Sequence, residues 1–540
     1  MRTTSVVLLI IALVPAVSSS AVAGESVTQT LKAADLFGGY EAKRILLKGD
    51  ALVLDTRNWR PKEQGRLVTD VIDLAGDGLL AVPATVSDFA LALDAATPEG
   101  TSVTAQVRTG TTFFPTKDTW TEWFGHEEVK TPKGRYIQIR LKVRTDDPKV
   151  VPEVRGLTLS RAVTRGPTMA GTVALVEDKV QRIADSAVRF EYERPDQADL
   201  VWMRKTFKLD DVIAGKKTEF EQLKALMHWV ATRPNDRHKG WHTGPYPWHI
   251  RKVLTEKDGG TVFGHCMSYC EVFITAAGAL GWQGRHWAIM GFREASHEVP
   301  EVWVNELGKW VFFDPSLDTY YADPKTGEPM SILEMHNTFV NALLKDGEQL
   351  QWRGIRSNDT YAARIRALRG KHPITCVSRD YAYGKPTKWD WQWRHGYMTA
   401  GWMQLTTRNN WHSQPKPACS RFSSYPTGYC GFPVYVDEKT PVPSRRTRTW
   451  YTRKRDLWWT LNQATFRLTR SGASALTVAC GNSQPFFKRY LARRDGGAWE
   501  PVDATFTWTL KSGENRLEVV PEDALGRRGI ASVAVVRYSP

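Results

Sequence analysis

The chain has 540 residues, 42% hydrophobic and 24% charged, with a formal net charge of +15. These are proportions of a water-soluble globular protein, and the length predicts about three or four domains at roughly 100–200 residues each. No stretch beyond the first residues approaches membrane-span length, and no cysteine or histidine spacing matches a zinc site, so neither a metal nor another cofactor is expected.

Residues 1–23 read as a secretory signal: Arg2 supplies the basic start, Val6 to Val14 the apolar run, and Ala21-Val22-Ala23 the cleavage site. The mature chain is therefore expected to be secreted or periplasmic. Export places the six cysteines in an oxidising compartment. Cys419 and Cys430 are candidates for one disulfide, and Cys376 and Cys480 either pair or stay buried as thiols. An exported chain without a recognised binding motif is not expected to bind nucleic acid. The cationic tract Arg445, Arg446, Arg448, Arg453, Lys454 and Arg455 reads as a solvated linker or as an attractor of acidic polymers.

Residues 24–165 alternate short β-rich runs with Gly- and Asp-rich turns, predicting a β-sandwich. From Ile137 to Val143 apolar and polar residues alternate strictly, as in a half-buried antiparallel strand. The pattern from Trp120 and Trp123 through Gly134-Arg135-Tyr136-Ile137-Gln138 to Val154-Arg155-Gly156-Leu157 resembles discoidin-like, galactose-binding-like jelly rolls.

Residues 166–345 change character. Phe220, Leu223, Leu226, Met227 and Val230 recur at helical spacing and stop near Arg233-Pro234. A loop rich in Gly, His and Trp runs from His238 to His249; solvation is its ordinary reading, and His238, His242 and His249 lining a cleft entrance the functional one. A second helix begins at Gly264-His265-Cys266 and closes at Gly281. Two strands follow, and after Gly308 the run Trp310-Val311-Phe312-Phe313 ends at Asp314-Pro315. Helices first and a hairpin afterwards define an α+β unit. Residues 346–436 form a Trp-rich connection in which Trp389, Trp391 and Trp393 share one face of a strand, either as packing or as a substrate platform. Residues 437–540 return to strand patterns and read as a second β-sandwich.

The chemistry lies in Cys266, His297 and Asp314. A thiol becomes a good nucleophile when a base takes its proton and a third group orients that base. A helix N-terminus favours the thiolate at Cys266, and backbone N–H groups there supply half an oxyanion hole. Trp241 and Trp248 are candidates for the other half. A lone cysteine at a helix start is more often structural; the ordered set of three carries the inference. Cys270 reads as core packing, with a regulatory disulfide as the lesser reading, and His265 and His286 as structural neighbours.

The run Gly264-His265-Cys266, Gly281-Trp282-Gln283-Gly284-Arg285, His297 with Glu301-Val302-Trp303, and Trp310-Val311-Phe312-Phe313-Asp314-Pro315 resembles the transglutaminase-like (papain-like) superfamily. The resemblance implies Cys266 as nucleophile, His297 as general base and acid, and Asp314 as orienter. It implies a cysteine hydrolase or acyltransferase acting on amide bonds of a protein, peptide or glycopeptide, while the flanking β-sandwiches point to cell-surface glycan as a further partner. Glu298-Val299-Pro300 depart from the family's usual residues after the histidine, so a bulge at Pro300 is one expected geometry. The alternative is a non-catalytic scaffold whose flanking sandwiches bind glycan or protein. A carboxylate pair for glycan cleavage does not stand out among the 58 acidic residues.

Overall fold

The computed structural model describes residues 24–60, 64–129, 131–233, 250–255, 266–290, 296–345, 348, 364, 367, 375–378, 402–413, 433–437, 439 and 449–540. Strands dominate the two ends of the chain and helices the middle, a mixed α+β architecture.

Two sheets share one apolar core near the N-terminus. The long strand Glu153–Arg165 pairs antiparallel with Glu25–Lys32 on one side and with Ala84–Ala96 on the other. The second sheet runs Phe124–Gly125, Thr101–Gly110, Tyr136–Thr145, Gln64–Val68, Glu41–Lys43. Alternation in Tyr136–Thr145 sends Ile137, Ile139, Leu141 and Val143 into the core, where they meet Leu52, Leu157 and Leu159 of the first sheet. Each such side chain contributes about 1.5–3 kcal/mol on burial.

The central sheet has the order Lys309–Phe312, Ser296–Val304, Gly284–Met290, Trp402–Leu405, Val434–Tyr435, Trp450–Tyr451. It is apolar on both faces because it lies between two cores. Val302, Val304, Val311 and Phe313 pack on the helices Glu219–Ala231 and Cys266–Leu280. Trp287, Val299, Trp303, Trp310 and Phe312 pack on the other side against helix Ile332–Leu343. Burial on both faces explains why these strands read as continuous apolar runs. Thr218 caps the first of these helices by accepting from the Glu221 N–H at 3.2 Å, and Ser331 with Glu334 forms a capping box at the last. The cysteine helix is buried almost all round and stops at Gly281, whose φ of 102° a side chain would resist.

The C-terminal region again holds two sheets around one core, built from Phe466, Leu476, Val478, Trp508, Leu517 and Val536. Thr172–Lys179 lies within the span 166–345 that the sequence grouped with the central unit, yet it pairs with Ser532–Ser539 as an edge strand of the C-terminal sheet. Leu80–Ala81 likewise pairs with Ala464–Gly472. Local pattern shows that a segment is a strand but not which distant strand completes it.

Part of the cationic tract is structural rather than a solvated linker. Arg453 holds Asp456 and donates to the Gly39 carbonyl at 2.8 Å. Arg455 pairs with Asp70 at 2.5 Å, and Lys454 stacks on Trp458. Trp450 donates to Asp55 at 2.8 Å. Arg453, Arg455 and Trp450 tie the N-terminal region to the central sheet. Arg445, Arg446 and Arg448 lie outside the described residues.

Candidate active site

Cys266 is the first residue of the helix Cys266–Leu280 and is partly exposed. Its side chain is hydrogen-bonded to His297, whose Nε2 lies 2.7 Å from Asp314 Oδ2. With Nε2 turned to the carboxylate, Nδ1 is the nitrogen left for sulfur. The structure therefore brings the three side chains together in the order thiol, imidazole, carboxylate.

Simple hairpin geometry delivers the second contact. Val304 pairs with Lys309 and Glu301 with Phe312, and Phe313 N–H donates to the Pro300 carbonyl at 3.1 Å. Continuing that register sets Asp314 beside Val299, two residues from His297 on the same face, within reach for a diagonal pair. The expected bulge at Pro300 is absent: Ser296–Val304 pairs with Gly284–Met290 without a register shift. Pro300 lies opposite His286 and needs no bulge, because its carbonyl still serves the hairpin.

Asp314 is held on both oxygens. Its Oδ1 accepts from the Ser316 N–H at 2.9 Å and from the Ser316 hydroxyl at 2.5 Å. A tight turn closed by Asp314 N–H to the Thr319 carbonyl at 2.8 Å fixes the loop. Asp318 in that turn contacts His228 Nδ1 at 2.7 Å and so fastens the loop to helix Glu219–Ala231. Ser316, His228 and Asp318 carry no sequence signal of their own.

Burial disfavours a charge on His297, but the Asp314 carboxylate outweighs it, and the bonds to Asp314 and Cys266 add to the same effect. Together they push the imidazole up to about 10. His297 is thus an imidazolium at neutral pH.

Behind this row lies a second buried layer. Arg285 is fully enclosed and pairs with Glu301 at 2.7 Å. Its guanidinium lies 4.0 Å from the ring centre of Trp310, 4.7 Å from that of Trp459 and 5.2 Å from that of Trp287. Glu301 also accepts from Trp287 Nε1 at 2.7 Å and from the Ile332 N–H at 2.7 Å, at the start of helix Ile332–Leu343. One ion pair therefore joins two strands, three indoles and a helix N-terminus. His286 is buried against Glu298 at 2.6 Å, a structural partner as expected. Burial, followed by the Glu298 charge, raises Glu271 well above the usual carboxylate range.

Cys270 is fully buried with Ile274 and Trp411 and forms no disulfide. Burial first, then Glu271 and Glu298, push its thiol well up, so it is a packing residue. Cys480 is a buried thiol in the C-terminal core. Trp241, Trp248, His238, His242, His249, Gly264 and His265 lie outside the described residues, as do Trp389, Trp391, Trp393, Cys419 and Cys430. Among the described residues no group of three or more His, Cys, Asp or Glu side chains is arranged to hold a metal ion.

Residues 208–315 match the family model described as the transglutaminase-like superfamily, a span that ends just after Asp314 and contains Cys266 and His297. The chain thus carries a transglutaminase-like domain over these residues. Among solved structures, red sea bream transglutaminase is similar at 10% identity over 88% of this chain and 95% of that chain, with a TM-score of 0.17, too low to carry a structural argument. None of the curated proteins matches this sequence.

Proposed function

We propose that the protein is a secreted cysteine-dependent enzyme acting on amide bonds, with Cys266, His297 and Asp314 as its catalytic triad. The serial contact from Cys266 through His297 to the doubly anchored Asp314 carries this reading. The thiolate of Cys266 attacks the substrate carbonyl carbon, and the carbonyl π electrons move onto oxygen. As the tetrahedral intermediate collapses, the C–N bond breaks and the His297 imidazolium gives its proton to the departing amine. A thioester to Cys266 remains. Neutral His297 then takes a proton from water or from an acceptor amine, which attacks the thioester and releases the thiolate. Asp314 keeps the ring oriented and stabilises its positive charge throughout.

In this reading residues 1–23 direct export, and the paired sheets at either end are β-sandwiches that brace or present the catalytic unit. Cys270 and Cys480 are buried, which makes a discriminating test available. Iodoacetamide on the native protein should modify Cys266, as read by peptide mapping, and total labelling should fall in Cys266→Ala over the same period. Equal labelling of the two proteins removes the proposal.

A further inference from the structure

The N-terminal sheet carries cations on the face turned away from its core. Arg140, Lys142 and Gln138 alternate with the core residues Ile139 and Leu141 and share the outward face. Strand register puts Lys43 opposite Arg66 and Arg66 opposite Lys142, so three cations stand in one row across three strands. The next rows set Arg140 opposite Gln106 and Arg108 opposite Gln138. Like charges directly opposite one another in a sheet are destabilising.

Among the described residues one of these cations is neutralised in place: Arg66 pairs with Glu41 at 2.6 Å. Arg108 and Arg140 instead share the indole of Trp123, at 5.0 and 4.4 Å from its centre. Each is fixed by a neutral glutamine on the next strand. Arg108 Nε donates to Gln138 at 2.9 Å, and Arg140 Nη2 donates to Gln106 at 2.7 Å. Among the described residues neither guanidinium has a bonded carboxylate. Burial, and then the charges of Arg66 and Arg108, disfavour the Arg140 cation, while Glu41 only partly opposes them. Burial likewise disfavours the Arg108 cation, and Tyr40 and then Glu122 only partly oppose it.

We propose that this face, centred on Arg108, Trp123 and Arg140 and extended by Arg66, Lys142 and Lys43, binds a carboxylate-bearing polysaccharide such as a polyuronate. Guanidinium forks held flat by glutamine and indole suit carboxylates. Cations spaced within a row by the strand separation of about 4.8 Å suit a linear polyanion more than one small ion. The strand backbones here are already paired, so the face offers side chains alone. A glycan needs no more, whereas an acidic peptide brings backbone amides that find no partner. Half-buried arginines also sit too deep for a planar lipid surface. This site is independent of the acyl-transfer reading and moves the expected attraction to acidic polymers from the Arg445–Arg455 tract to the N-terminal sheet.

The test is calorimetric titration of the full-length protein with polygalacturonate, with polyglutamate and anionic vesicles as comparisons. The expected result is binding to polygalacturonate that weakens with salt. Arg108→Gln/Arg140→Gln should lose at least about tenfold in affinity, with a melting temperature unchanged or raised because repulsion is relieved. If that double variant does not fold, Lys142→Gln should lower affinity about threefold on a folded chain. Absence of polygalacturonate binding, binding undiminished in the folded variants, or equal or tighter binding to polyglutamate or vesicles overturns the proposal.

Discussion

His297 Nε2 and Asp314 Oδ2 lie 2.7 Å apart, with Asp314 almost completely shielded from water and its other oxygen taken by Ser316. A carboxylate so held cannot turn away from the imidazole. In this arrangement the hairpin fixes the ring and the ring addresses the sulfur.

Asp314→Asn keeps the shape and removes the charge. Turnover of an amide substrate should fall by about 10²–10⁴, and the alkaline limit of activity should move towards neutrality, because the carboxylate that holds the imidazolium is gone. Ser316→Ala removes the hydroxyl contact to Oδ1 and keeps the backbone N–H, and should cost about tenfold, through one lost charge-assisted bond. Steady-state kinetics across pH separates the two. An unchanged alkaline limb in Asp314→Asn would count against the charge argument.

Stability should carry the signature of the same pair. Folded His297 holds its proton up to about 10, against an ordinary 6.5. A raised value means stabilisation fully present below about pH 6.5 and lost as pH rises through about 10. Denaturant titrations at intervals between these values should show a loss of a few kcal/mol that is absent in His297→Gln. Parallel curves for the two proteins would refute the assignment.

Breaking the Arg285–Glu301 pair should be costly without touching the chemistry. Glu301→Gln is expected to destabilise by about 3–5 kcal/mol, since it leaves a buried guanidinium short of its counter-charge. Arg285→Lys should fare little better, because an ammonium cannot stack among three indoles and hold the same fork. Chemical denaturation reads both. At temperatures where the variants stay folded, labelling of Cys266 by iodoacetamide should proceed at the original rate.

Cys270→Ala should leave catalytic activity within about threefold of the parent and cost about 1 kcal/mol through a small cavity. Loss of activity on the scale of Cys266→Ala would show that the second thiol does more than pack.

The central unit was legible in sequence where its determinants are local. Trp310 to Asp314 and the strand from Ser296 lie in one hairpin, so their pairing follows from a short connection and alternation. The helix Glu219–Ala231 was legible from its apolar spacing. Other relationships depend on distant segments. Arg285 and Glu301 stood out as residues of a motif, but the cage needs Trp459, and the Glu301 contact to helix Ile332–Leu343 needs a turn of chain that no periodicity announces. Thr172–Lys179 finds its partner at Ser532–Ser539, and Arg455 finds Asp70. Charge alone could not distinguish such anchors from a solvated tract.

In the proposed reaction Cys266 forms a covalent acyl intermediate with His297 as its acid and base. Intact-protein mass spectrometry of the chain quenched in acid during reaction with a peptide and glycopeptide library tests it most directly. The expected result is a thioester adduct mapping to Cys266, absent from Cys266→Ala and formed at least about 10²-fold more slowly in His297→Gln. An adduct of equal yield in Cys266→Ala, or equal rates in the parent and His297→Gln, would contradict it.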